Sequence, residues 1–235
     1  EDILAYDTAS GTWSMFFDGS DVGLNASSSL DVDAFELLGD GSLLLSFVGP
    51  ASVGDLGTVD DSDIVRFVPT SLGTSTAGTF EWYFDGSDVG LTTNGEDIDA
   101  ITLLADGRIV VSTVGGFSVP GASGADEDLI AFTPTTLGAA TSGTWELYFD
   151  GSDVALNNAS SEDVNGVWVD SVSGEVYLTT LGAFSVVGAS GSGADIFVCN
   201  PTSLGSSTIC TFAPYWEGAA YGWGAEVTDG IHIGR

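Results

Sequence analysis

The string FFDGSDVGL at residues 16–24 returns as YFDGSDVGL at residues 83–91 and as YFDGSDVAL at residues 148–156. The copies start 67 and then 65 residues apart, and a degenerate fourth, YWEGAAYGW, begins at Tyr215, another 67 residues on. Self-similarity at a fixed period is the signature of a repeat architecture. A second marker keeps step with the first: DIVRFVPTSLG from Asp63, DLIAFTPTTLG from Asp128 and DIFVCNPTSLG from Asp195, with an early copy, DILAYDTASG, from Asp2. The units therefore divide the chain at about residues 1–24, 25–91, 92–156 and 157–235.

Each unit holds four short runs with strand chemistry, here named a, b, c and d. In the middle unit they are residues 98–104 (IDAITLL), 108–114 (RIVVSTV), 128–133 (DLIAFT) and 144–149 (TWELYF). Asp106-Gly107 between the first two is a strong hairpin signal. The segment between b and c reads as a Gly/Ser-rich loop, and Pro134 follows c, so Gly and Pro punctuate the runs from outside. Run d alternates with period two: Trp13/Met15/Phe17, Phe80/Trp82/Phe84, Trp145/Leu147/Phe149 and Phe212/Pro214/Trp216. Such alternation places the large groups on one face of a strand. No segment shows sustained helical periodicity with caps.

Four-stranded antiparallel modules repeating in this way point to an all-β fold. The expected form is one small β-propeller domain spanning residues 1–235, of about four blades, with terminal strands closing one blade. The chain opens on a c run, so the missing a and b strands must come from the C-terminus. Two alignments serve. One sets Asp229 against Asp99, makes residues 231–235 strand a and leaves b absent. The other sets Asp229 against Asp106, makes residues 222–227 strand a and residues 231–235 strand b. Spacing favours the first, while the second completes the fourth blade. An N-terminal Glu rather than Met suggests processing or excision.

Against 34 Asp and Glu stand only three basic residues, a formal charge of −31. With 43% apolar residues the chain is not of the disordered acidic kind. The charge excludes nucleic acids and anionic membrane surfaces as electrostatic partners, and no apolar run reaches the ~18–20 residues of a membrane span. In an up-and-down blade the b–c and d–a loops share one rim, which collects 23 of the 34 acids. Asp40, Asp106 and Asp170 fall on the other.

Hard oxygen ligands suit Ca²⁺. The acids that recur in register are Asp31, Asp97 and Asp163 before run a, and Asp63, Asp128 and Asp195 at the start of run c. The DGSD pairs add Asp18 with Asp21, Asp85 with Asp88, and Asp150 with Asp153, with Gly allowing a tight turn that presents carbonyls. None follows the EF-hand order. Two readings compete: these acids are calcium ligands, or they make Asx-turns that cap strands and keep edges soluble. Adaptation to high salt would need no specific site at all.

Cys199 and Cys210 fall on runs c and d of the last unit, where no other unit has a Cys, so a disulfide and an oxidising compartment are expected: extracellular, cell-surface or periplasmic. His232, the sole His, reads as an ordinary strand residue, and no nucleophile elbow, zinc motif, Walker loop or dinucleotide fingerprint occurs. Trp168, Tyr177, Tyr215, Trp216, Tyr221 and Trp223 read as closing-blade packing.

With its FDGSD-type repeats the chain resembles repeat β-propellers of secreted or surface bacterial proteins, many without assigned activity; the resemblance carries over no catalytic residue. The expected function is a non-enzymatic extracellular module, stabilised by Ca²⁺ on its acidic rim, that binds a protein or glycan partner or assembles with itself. The alternatives are a glycosidase using paired rim carboxylates and an accessory subunit docking through the less charged rim.

Overall fold

The computed structural model describes residues 1–234. The chain begins with a hairpin, β1 (Ile3–Asp7) and β2 (Thr12–Phe17). The first full unit follows as β3 (Val32–Leu37), β4 (Leu43–Phe47), β5 (Ala51–Ser52), β6 (Thr58–Val59), β7 (Ile64–Ser71) and β8 (Ala77–Phe84). The second comprises β9 (Ile98–Leu103), β10 (Ile109–Thr113), β11 (Phe117–Val119), β12 (Ala122–Gly124), β13 (Leu129–Thr136) and β14 (Ser142–Phe149). The third comprises β15 (Gly166–Val169), β16 (Val176–Thr179), β17 (Phe184–Val186), β18 (Ala189–Gly191), β19 (Ile196–Ser203) and β20 (Ile209–Trp216).

Each unit builds one antiparallel four-stranded sheet in chain order: β3-β4-β7-β8, β9-β10-β13-β14 and β15-β16-β19-β20. The b–c and d–a loops therefore share one end of every sheet. The a–b turn is closed by Leu104 N–H donating to the Arg108 carbonyl at 2.9 Å, and Gly107 takes the left-handed φ of +88° that this turn requires. β1 and β2 form a two-stranded sheet, and after the 3₁₀ turn Gly218–Tyr221 no further strand occurs among the described residues. The sheet of the first hairpin thus has two strands, not the four expected once C-terminal strands join it, and Arg235 lies outside the described residues.

The sheets bury their faces against one another. Phe84, Ile98, Ile130 and Phe132 join one apolar cluster between the first and second sheets, and Leu129, Phe149, Val167 and Phe197 another between the second and third. Ile3 and Phe17 of the first hairpin pack with Leu43, Val65 and Phe67 of the first sheet. The alternation read in run d holds: Phe80, Trp82 and Phe84 lie inward of exposed Thr79 and Glu81.

Two local expectations are corrected. The Gly/Ser-rich b–c segments are not plain loops but carry small hairpins, β5-β6, β11-β12 and β17-β18, of strands too short to show a period. Pro134 lies inside β13, opposite Gly143 at a register shift, as do Pro69 and Pro201 in β7 and β19. β10 pairs with β13 only as far as Phe132, so Pro134 faces a ladder on one side alone and its missing N–H is tolerated.

Candidate functional site: carboxylates at the sheet junctions

The acids in register fall into two groups, those whose oxygens are taken by backbone donors and those left without partners. Asp63 belongs to the first. Its Oδ2 accepts from Asp60 N–H at 2.7 Å and its Oδ1 from Gly86 N–H at 3.0 Å. Asp128 does the same with Ala125 and Gly151, and Asp195 with Ser192 and Gly218.

The DGSD pairs clasp neighbouring units. Asp21, Asp88 and Asp153 accept from the N–H of Thr76, Thr141 and Thr208 in the next unit at 2.8, 2.9 and 2.8 Å. The same threonine hydroxyls accept from the N–H of Asp18, Asp85 and Asp150. The carboxylates of Asp18, Asp85 and Asp150 take Ser20, Ser87 and Ser152 hydroxyls.

The motif glycine has a different reason from the one expected. Gly86 and Gly151 have ordinary helical φ values of −68° and −67°. What they lack is room: a Cβ there would stand 2.2 Å from the Ser62 carbonyl oxygen or 2.4 Å from that of Glu127. Close backbone approach, not turn geometry, requires Gly.

The residues ahead of each inner strand are built otherwise. Ile98 N–H donates to the Asp61 carbonyl of the preceding unit at 3.1 Å, and Val164 N–H to that of Asp126 at 3.2 Å. Thr228 N–H donates to the Gly193 carbonyl at 2.8 Å. The last bond puts the C-terminal segment in the register of β9 and β15, with Asp229 matching Asp99, as the first of the two alignments has it.

Beside the first of these bonds stand Asp60, Asp61 and Asp97; beside the second, Asp126, Glu127 and Asp163. Asp97 is 8% exposed and Asp163 6%, and the Oδ1 of each is buried without a hydrogen-bond partner. Burial pushes Asp97 up to about 8, helped by the charges of Asp33, Asp61 and Asp60. Burial likewise takes Asp163 up to about 7, with Asp126, Glu127 and Asp33 adding to it. Asp31, their counterpart in the first unit, instead pairs with the N-terminal ammonium of Glu1.

Two residues further on, the register brings Asp33, Asp99, Asn165 and Asp229 to equivalent positions. Burial raises Asp33 to about 6 and Asp99 well above the carboxylate range. The Ser112 hydroxyl lies within hydrogen-bond distance of both Asp99 Oδ1 and the Val164 carbonyl. One hydroxyl has one proton and both neighbours are acceptors, so both contacts are bonds only when Asp99 is protonated and donates to Ser112.

No family model, characterised protein or solved structure matches this chain. Its chemistry is read from its own side chains.

Three residues beyond the Asp33 level, four unlike residues share one register: Glu36, Thr102, Trp168 and His232. His232 Nδ1 lies 3.5 Å from Glu36 Oε1, yet His232 Nδ1 and Glu36 Oε2 are buried without hydrogen bonds. The indole and imidazole rings meet edge to face at 5.8 Å. Burial raises the Glu36 carboxyl, with His232 and Thr102 opposing it. Reading His232 as an ordinary strand residue overlooked this group. The signal was in the first C-terminal alignment, which sets these four in one column, unlike each other where neighbouring columns repeat.

Cys199 and Cys210 form a disulfide with Cα atoms 5.3 Å apart. Of the singular aromatics, Trp216, Tyr221 and Trp223 pack with Tyr6 and Trp13 of the first hairpin, with ring centroids 5.0 to 6.5 Å apart. Trp168 and Tyr215 pack on Tyr177.

Proposed function

We propose that the protein is an extracellular, non-enzymatic binding or assembly module, a four-bladed β-propeller whose acidic rim carries divalent cations, calcium above all. Support for the propeller is the succession of like sheets buried face to face and the C-terminal segment entering in the register of an inner strand. The disulfide agrees with an oxidising location.

The observation that carries the cation reading is where the positive charge goes. Arg66 pairs with Asp40 at 2.5 Å, and Arg108 with Asp106 at 2.9 Å and Glu146 at 2.5 Å. All three acids lie away from the loops that hold most of the carboxylates. Among the described residues neither arginine pairs with an acid of those loops. Uncompensated carboxylates in hard-oxygen clusters recruit divalent ions.

The test is thermal unfolding in millimolar CaCl₂, in EDTA, and in NaCl of matched ionic strength. An ion that binds the native state stabilises it by mass action, and the expected rise in Tm is about 5 °C or more for a chain of this size. Equal Tm values in calcium and in NaCl would defeat the cation reading. A pull-down against glycans and surface proteins, with and without calcium, then addresses the partner.

A second reading has one specific observation in its favour. Buried Glu36 and half-buried His232 form an acid–base pair without counterparts in the other units, as a catalytic pair in a glycosidase or another hydrolase would. Turnover on a glycan panel, lost in Glu36→Gln, would establish it in place of the binding module.

A further inference from the structure

We propose two divalent-cation sites of the Ca²⁺-binding class, one at the junction of the first and second sheets on Asp60, Asp61 and Asp97, the other at the junction of the second and third on Asp126, Glu127 and Asp163. The proposal rests on the cation reading of the acidic end and assigns its location.

The four junctions form an internal comparison. Three share the same backbone bond, Ile98 to Asp61, Val164 to Asp126 and Thr228 to Gly193, so equivalent positions are identified without ambiguity. The first two junctions carry three acids each. At the third, Ser192, Gly193 and Val227 stand where Asp60, Asp61 and Asp97 stand, and Gly193, Ala194 and Val227 where Asp126, Glu127 and Asp163 stand, so no acid occupies any matching position. At the fourth, Asp31 stands where Asp97 and Asp163 stand, but it is exposed where they are buried. A buried acid with two loop acids beside it therefore occurs at the first two junctions alone among the described residues.

Independent of the clustering is the state of Asp97 and Asp163. Each is more than nine-tenths buried, with an oxygen that no protein donor meets. Every neighbouring register acid at the strand starts finds two backbone donors for its two oxygens. A buried acceptor without a partner costs about 1–3 kcal/mol, more if charged, and a bound cation removes that cost. Three carboxylates present up to six oxygens, and Ca²⁺ takes six to eight, with carbonyls and water completing the shell. Among the described residues no three of these side chains yet converge on one point; unneutralised carboxylates repel, and the ion is what draws them together.

The experiment is calorimetric titration of CaCl₂ into the EDTA-stripped full chain. Two ions per chain are expected, falling to one in Asp97→Asn, to one in Asp163→Asn, and to none in the double variant. Asp106→Asn, at the other end of the sheets, retains two. Should either buried variant fail to fold, Asp61→Asn and Asp126→Asn, which are less buried, replace them with the same expectation. Calcium binding whose stoichiometry these variants leave unchanged would overturn the assignment while the cation reading of the acidic end survives. No calcium binding to the parent chain would overturn both.

Discussion

Trp13 Nε1 donates to the Tyr221 carbonyl at 3.0 Å across 208 residues, and Trp145 Nε1 donates to the Val89 carbonyl at the same 3.0 Å between the first and second sheets. Trp13 and Trp145 are equivalent in run d, and Tyr221 and Val89 are equivalent in the turn that follows it. The last sheet therefore grips the first hairpin with the bond that joins consecutive sheets elsewhere.

Removing this bond tests the contact between the ends of the chain. Trp13→Phe keeps an aromatic ring but no donor and should lower unfolding free energy by about 1 kcal/mol. Trp13→Ala also removes packing against Tyr6, Trp216 and Trp223 and should cost about 2–3 kcal/mol, less than a fully buried Trp. Urea unfolding reads both. A Trp13→Phe chain as stable as its parent would mean the two ends do not hold each other.

Ala155 is the one residue other than Gly with positive φ among the described residues, at +70°. In the other copies of the motif this position is Gly23, Gly90 and Gly222, at +88°, +102° and +82°. An L-residue there is strained by about 1 kcal/mol, so Ala155→Gly should stabilise the protein by up to that amount, with some offset from backbone entropy. Gly151→Ala, four residues earlier, should do the reverse, because its Cβ would press on the Glu127 carbonyl. Thermal melts of the two variants should move in opposite directions.

The disulfide closes a loop of sequence separation 11. Chain-entropy arguments give such a loop about 2–3 kcal/mol, so Cys199→Ala/Cys210→Ala should unfold at correspondingly lower urea. Intact mass should rise by two hydrogens on reduction, and native protein should resist alkylation.

Stability in EDTA should depend on pH with a sign set by burial. The Asp33 carboxyl, raised to about 6 by burial and by the charges of Asp229, Asp31 and Asp61, holds its proton more tightly folded than unfolded. Its contribution is fully present below pH 4 and lost as pH rises through about 6. Asp33→Asn, the amide that Asn165 already supplies at the matching position, should flatten that part of the profile and raise stability at pH 7 by about 2 kcal/mol. A parent chain whose Tm climbs between pH 4 and 7 without calcium would contradict this.

The repeats made much of this legible in advance. Period-two runs with Asp-Gly between them specify antiparallel strands by local chemistry alone, and the a–d order follows from short connections. The paired departure of Cys199 and Cys210 from the repeat was likewise visible as a local exception. The small hairpins β11-β12 and β17-β18 were not visible, since three residues carry no period. Pro134 was placed outside its strand because Pro removes a ladder donor, a rule that lapses where only one side of the strand is paired.

What the chain alone determined is which acids recur and at what interval. It could not say which of them are satisfied. Asp63 and Asp97 are the same residue type, both near the start of a strand and both repeated in register. Asp63 receives two backbone N–H groups from turns nearby, one of them 23 residues along. Asp97 is carried instead against another unit's loop, whose nearest side chains are acids. The difference is decided by which backbone donors the packing of sheets brings within 3 Å of each oxygen, and that distance exists only once the sheets have met.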